Sequence, residues 1–214
     1  MRTPWGYTVD AETLPNFIEA TEFNAFTNNK FASDVRISAN IPAASRAIRN
    51  YCGWHVSPNL TCSMVYNVRD LRDAFVGPDL LVQLPATFVT GIEKIILNAF
   101  LNPDTEEYEG DVTDDYDIED NGILKIYDVG YLDRKSKIFI KYKAGFPDSQ
   151  IQDIKELTAH RVTHAVTSSY GIMSEAAGGV SVSYNASWAG NTRSTALPDD
   201  NKEVLSPYKV RGVF

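Results

Sequence analysis

The stretch that most constrains this chain runs from residue 151 to residue 170. There Ile154, Leu157, Ala159, Val162, Ala165, Val166 and Tyr170 recur at helical spacing. Together they cover a wider arc than a single core contact needs, so the helix they predict has neighbours on more than one side. Pro147 lies ahead of its start, and Gly171 stands where a left-handed cap would end it. Gly178-Gly179 then releases Val180-Ser181-Val182-Ser183-Tyr184, a short alternating segment suited to pairing with something outside its own domain.

A second helix is written upstream. Ile37, Ile41, Ala44, Ser45, Ile48 and Cys52 share one face, with Arg46, Arg49 and Asn50 elsewhere; Gly53 ends it, and Pro42 fits only in a first turn or a kink. The residues before Asn29 read as one or two short helices around Phe17, Ile18, Phe23 and Phe26. After Pro58 the apolar period drops from 3.6 to 2, with Leu60, Cys62, Met64, Tyr66 and Val68 alternating with polar residues. Strands are expected at 80–84, 88–90, 92–101, 116–118, 123–126 and 137–143, with Ile138, Ile140 and Tyr142 on one face of the last. Asn121-Gly122 predicts a two-residue hairpin, since both central positions of a type I′ turn need positive φ. Asp200-x-x-Glu203 resembles a capping box opening a short helix that Pro207 would stop. The pattern is that of an α+β protein: a discontinuous helical core, 1–58 plus 146–214, an inserted antiparallel β domain at 59–145, and an extended C-terminal arm at 178–214.

Composition narrows the function. With 214 residues and 43% hydrophobic content the chain can bury a core. No run reaches the roughly 18 apolar residues of a membrane span, and residues 1–10 lack the pieces of a signal peptide, so the expectation is a protein that remains in the cytosol where it is made. Cys52 and Cys62 are then two reduced thiols rather than a disulfide. A net charge of −8 argues against gripping nucleic acid by its phosphates. It leaves room for a protein past which DNA slides.

Each chemical motif is incomplete. His160 and His164 are four apart, as in zinc proteases, but the position after the first histidine is Arg161 where the general base should stand. Two polar, partly exposed histidines are the simpler account; the rival is a metal-dependent hydrolase. The acidic run from Asp104 to Asp120 includes a partial calcium loop, with Asp117, Glu119, Asn121, Gly122 and Asp128 at ligand or turn slots. Glu119 is long for its slot, Asp128 short for its own, and Lys125 would stand near the ion. A hairpin turn explains the same residues, and a calcium-stabilised binding module over 117–128 is the second rival. No Gly-x-Ser-x-Gly elbow or phosphate-cradling glycine loop is present. No catalytic residue, metal or cofactor is assigned.

Three separated stretches together resemble one family, the head-to-tail connector (adaptor, or head completion) proteins of long-tailed, siphovirus-like bacteriophages. The first is Ala43-Ala44-Ser45-Arg46-Ala47-Ile48-Arg49-Asn50-Tyr51-Cys52-Gly53-Trp54. The second is Ile140-Lys141-Tyr142-Lys143-Ala144-Gly145-Phe146, followed by Ile154-Lys155 opening the long helix. The third is Gly171-Ile172-Met173-Ser174-Glu175 through Gly178 to Tyr184, closed by Leu205-Ser206-Pro207-Tyr208-Lys209. The β insertion departs from the family's smaller, nearly all-helical members and resembles its larger ones.

The resemblance implies a non-enzymatic virion protein at the head-tail interface, assembled in the host cytoplasm. It implies a homo-oligomeric ring of twelve copies beneath the portal protein, offering a platform to the next neck or tail completion protein. Genomic DNA would pass through without sequence-specific binding, and no membrane is involved. Contacts are then expected from Gly178, Gly179, Val180, Ser181, Val182, Ser183 and Tyr184 on an axial partner. Ile48, Arg49, Ile154, Leu157, Arg161 and Val162 are expected in the ring core, and Tyr208, Val210 and Phe214 at a neighbour.

Overall fold

The computed structural model describes residues 1–133, 135–167, 174–177, 180–183 and 199–210. The fold is mixed α+β and divides into two units. One comprises Met1–Leu14, Gly53–Gln150 and Tyr208–Phe214; the other comprises Pro15–Cys52 and Ile151–Pro207. No helix among the described residues is long and apolar enough to cross a membrane.

The first unit is built on antiparallel sheets. Strands β1 (Thr8–Val9), β2 (Leu60–Asn67), β5 (Val89–Leu101), β6 (Tyr108–Val112) and β9 (Lys137–Ala144) form a five-stranded sheet in the order β1-β2-β9-β5-β6. Strands β3 (Phe75–Val76), β4 (Asp79–Gln83), β7 (Tyr116–Glu119) and β8 (Ile123–Ile126) form a four-stranded sheet in the order β3-β4-β8-β7. The expected alternation on β9 is present: Ile138, Ile140, Tyr142 and Ala144 are buried while Lys137, Lys141 and Lys143 are exposed. Each such isoleucine contributes about 1.5–3 kcal/mol by leaving water. Leu80 and Val82 of β4 and Leu124 and Ile126 of β8 are buried in the same alternating way.

Three details differ from the sequence pattern. The two runs expected at 88–90 and 92–101 are one strand, β5, whose register against β9 slips in three places; Asn98 adopts φ +50° at the last slip. Such bulges break strict alternation and so split the sequence signal. The hairpin joining β7 to β8 pairs Glu119 with Ile123, leaving three connecting residues, Asp120 to Gly122, instead of two. Asn121 and Gly122 still carry the expected positive φ, +63° and +77°. Finally, the acidic run contains a strand, β6, with no apolar alternation to announce it.

Among the described residues the second unit holds four helices: α1 (Ala20–Phe26), α2 (Ile37–Cys52), α3 (Gln152–Thr167) and α4 (Asp199–Leu205). Helix α3 packs against α1, α2 and α4, which accounts for its wide apolar arc within one subunit. Ile18, Phe23, Ile37, Ile41, Ala44, Ala159, Val162 and Val166 make one cluster, with Phe31 packed against it. All six residues expected on the buried face of α2 are buried. Pro42 sits in the second turn of α2, where Ser38 loses its usual i+4 donor. Arg49 was expected away from the core but is only 5% exposed, because residues before α1 cover it. Its guanidinium donates to the Pro15 carbonyl at 2.5 Å and lies 4.4 Å from the centre of the Phe17 ring. The residues before Asn29 thus supply one helix, together with the strand β1.

The remaining strands, β10 (Ser174–Ala177) and β11 (Val180–Ser183), form a two-stranded antiparallel sheet of their own. Gly171 and the Gly178-Gly179 pair lie outside the described residues. Helix α4 begins at Asp199, so Asp200 is inside it rather than capping it, and Pro207 falls in the 3-10 turn Ser206–Tyr208 that follows.

Candidate interaction site

Residues far apart in the chain meet in the first unit at an aromatic joint. The indole N–H of Trp54 donates to the Tyr208 carbonyl at 2.6 Å, and the Tyr208 hydroxyl donates to the Gln150 carbonyl at 3.2 Å. The Phe146 ring lies 5.9 Å from that of Trp54, 5.0 Å from that of Tyr208 and 4.6 Å from that of Phe88. Gly145, at φ +126°, brings Phe146 into place; a Cβ there would overlap the Pro58 carbonyl. Beside Trp54, the fully buried His55 is hydrogen-bonded through Nδ1 to the Tyr7 hydroxyl (2.8 Å), while its Nε2 faces the Pro58 and Ala144 carbonyls at 3.1 and 3.0 Å. Two acceptor oxygens require a proton on Nε2, and both ring nitrogens are occupied. The joint thus holds Trp54, Phe146 and Tyr208, one from each of three stretches separated in sequence. It places Tyr208 inside its own subunit, 8% exposed.

On α3, His160 is exposed and His164 half-buried. Burial, and then the neighbouring His160 and Arg161, hold the His164 imidazole below its ordinary value. Among the described residues no three histidine, cysteine or acidic side chains gather as metal ligands would. Arg161 between the histidines is distinctive: its Nε and Nη1 are buried and have no hydrogen-bond partner. Ile48, Ile154, Leu157 and Val162 are buried in their own unit, as is Arg49.

The 117–128 segment is a hairpin whose Asp117 and Lys125 are engaged within its own sheet. The Tyr127 hydroxyl donates to Asp117 Oδ2 at 2.6 Å, and Lys125 pairs with Asp79 at 3.1 Å. Its Gly122 is required by close packing as well as by φ, because a Cβ would overlap the Ala86 carbonyl.

The segment expected to meet an axial partner is β11, whose Val180 to Ser183 pair in register with Ala177 to Ser174. Gly178, Gly179 and Tyr184 lie outside the described residues, as does Phe214, while Val210 is half-buried. Sequence reasoning missed one further surface, the free end of the β5–β6 hairpin. Phe100 and Leu101 are 55% and 52% exposed there, beside exposed Glu109; Val112, at the other end of β6 opposite Ile96, is 58% exposed. Adjacent apolar residues at 100–101 were the available signal, masked by reading the run as a buried strand.

A family model described as "Head completion protein" matches residues 16–210. A solved chain from "Virion of native gene transfer agent (GTA) particle" is similar in fold, with a TM-score of 0.56 at 13% identity over 97% of each chain. No curated protein matches.

Proposed function

The chain belongs to the head completion protein family, a virion structural component and not an enzyme, and we propose that it is the connector joining the DNA-filled head to the tail. In this proposal about twelve copies form a ring under the portal protein, present a platform to the next neck or tail protein, and let genomic DNA pass. The finer architecture is a discontinuous helical core carrying the ring contacts, an inserted β domain, and a C-terminal arm reaching the axial partner. The net charge of −8 supports free passage of DNA, since a basic lumen would hold phosphates.

The observation that carries the proposal is the separate sheet of β10 and β11. Among the described residues β10 and β11 pair only with each other, and a two-stranded sheet is marginal in water, which suits strand addition by an adjoining protein. Replacing Gly178-Gly179 by Pro-Pro tests it: the subunit should fold, while DNA-filled heads and tails accumulate unjoined. Joined, infectious particles at the wild-type yield would contradict it.

A further inference from the structure

One face of the five-stranded sheet is cationic in a chain that is otherwise acidic. On β9 the side opposite the buried Ile138, Ile140 and Tyr142 carries Lys137, Phe139, Lys141 and Lys143. Register sets the rows that cross this face. Val65, Phe139, Ile96 and Val112 lie opposite one another across β2, β9, β5 and β6. Val65 and Phe139 are half-buried, Val112 is exposed, and the Tyr108 ring stacks on that of Phe139 at 4.7 Å. Ser63, Lys141 and Lys94 stand on one side of this apolar row, Asn67 and Lys137 on the other.

The slip in register between Ile92 and Lys94 brings Glu93 to the same face, where it pairs with Lys141 at 3.2 Å and Lys143 at 3.5 Å. Lys94 and Lys137 are exposed, and no carboxylate among the described residues pairs with them. An apolar row flanked by unmatched lysines has the composition of a docking surface for an acidic partner that brings apolar side chains of its own. A DNA backbone fits less well, since it offers nothing to Phe139 and Val112 and its phosphates would meet Glu93.

The chain itself carries such a partner. Residues 104–120 hold many acids and no Lys or Arg, and Glu106, Glu107 and Glu109 are exposed beside the exposed Phe100 and Leu101 at the free end of the β5–β6 hairpin. That end lies roughly 20 Å along β5 from Lys94, so a copy cannot lay it on its own Lys94–Lys141 row. We infer that the acidic hairpin end of one copy docks across the lysine-flanked apolar row of the next. Two complementary patches at different places on one chain make a heterologous contact, the kind that closes into rings. The inference rests on the connector proposal and names the contact between ring neighbours.

The test uses full-length variants supplied to cells that make particles, after each purified variant is shown to melt like wild type. Lys94→Glu/Lys137→Glu should lower the yield of joined particles at least about tenfold, because like charges then meet across the contact. Glu106→Lys/Glu107→Lys should do the same, and the two pairs combined should return the yield to within about threefold of wild type. Lys94→Gln/Lys137→Gln takes the place of the reversal if that does not fold, with a smaller loss expected. A second readout does not depend on yield. Chains with Lys94→Cys and chains with Glu107→Cys, co-expressed and treated in particles with a short bismaleimide, should form linked pairs that neither forms alone. Wild-type yield from the lysine variant that folds, no rescue in the combined variant, or particles holding both cysteine chains without linked pairs would each overturn the inference while leaving the connector proposal standing. A loss without rescue, matched by weaker retention of the Lys94→Gln/Lys137→Gln chain on duplex DNA, would assign the face to phosphate and likewise overturn it. Joined particles in cells lacking the chain would overturn the connector proposal instead.

Discussion

The indole N–H of Trp54 and the backbone carbonyl of Tyr208 lie 2.6 Å apart, across 154 residues of sequence. Both ends of this bond are buried, so removing the donor orphans an acceptor. Trp54→Phe should therefore lower stability by about 1–3 kcal/mol from the lost bond, with a further loss from the vacated volume. Urea midpoints measure this; an unchanged midpoint would show that the joint is not holding residues 207–210.

Two buried tyrosines should respond oppositely to losing their hydroxyls. That of Tyr7 is hydrogen-bonded to His55 Nδ1 at 2.8 Å and accepts from the His55 backbone N–H at 2.9 Å, so Tyr7→Phe strands two groups and should cost about 1–3 kcal/mol. The Tyr142 hydroxyl is buried without a partner. Tyr142→Phe should be neutral or stabilising, because it removes a desolvated polar group that makes no bond. Equal losses in the two variants would contradict this contrast.

Acid sensitivity should have two separable windows. Glu22 is held below the usual carboxylate range, first by the Glu19 backbone N–H at 2.9 Å and then by Lys155 at 2.9 Å. The unfolded chain thus takes up this proton first. The contribution is present above about pH 4.5 and is lost as pH falls through the lower folded value. His164 is also depressed, by burial first, so its contribution is present above pH 6.5 and is lost below it. Denaturant midpoints against pH should flatten in the lower window for Glu22→Gln and in the upper one for His164→Gln. Profiles matching the parent in both windows would refute both assignments.

Cys62 is 1% exposed, and burial pushes its thiol up to about 12; Cys52 is buried as well. At pH 8 neither should react with iodoacetamide in the folded protein, and both should react in urea, as mass spectrometry reads directly. Rapid native alkylation of Cys62 would mean that β2 opens readily.

Gly145→Ala meets two obstacles at once, a φ of +126° and the Pro58 carbonyl. A loss of at least about 2 kcal/mol is expected from strain and overlap together. A thermal melt unchanged from the parent would show that the β9 end relaxes freely.

Much of this was legible in the sequence, for reasons visible in particular residues. The α2 face from Ile37 to Cys52 and the β9 alternation of Ile138, Ile140 and Tyr142 were readable because each packs one face only. The family was readable from three stretches, Ala43 to Trp54, Ile140 to Phe146 with Ile154-Lys155, and Gly171 to Tyr184 closed by Leu205 to Lys209, and the match over 16–210 bears that out. Arg49 misled because a charged side chain can be buried by a carbonyl and an aromatic ring supplied from Pro15 and Phe17, 34 and 32 positions away. β6 was hidden because an exposed edge strand need bury nothing, and β1 because two residues carry no period. The orphaned Arg161 donors could not be read at all, since an unmet hydrogen bond is a property of the packed subunit.

The central claim is tested most directly by electron microscopy of particles made in cells from which this chain has been deleted. The account predicts DNA-filled heads and complete tails lying separate, with joining restored when the purified chain is added back. Joined, infectious particles in its absence would contradict it.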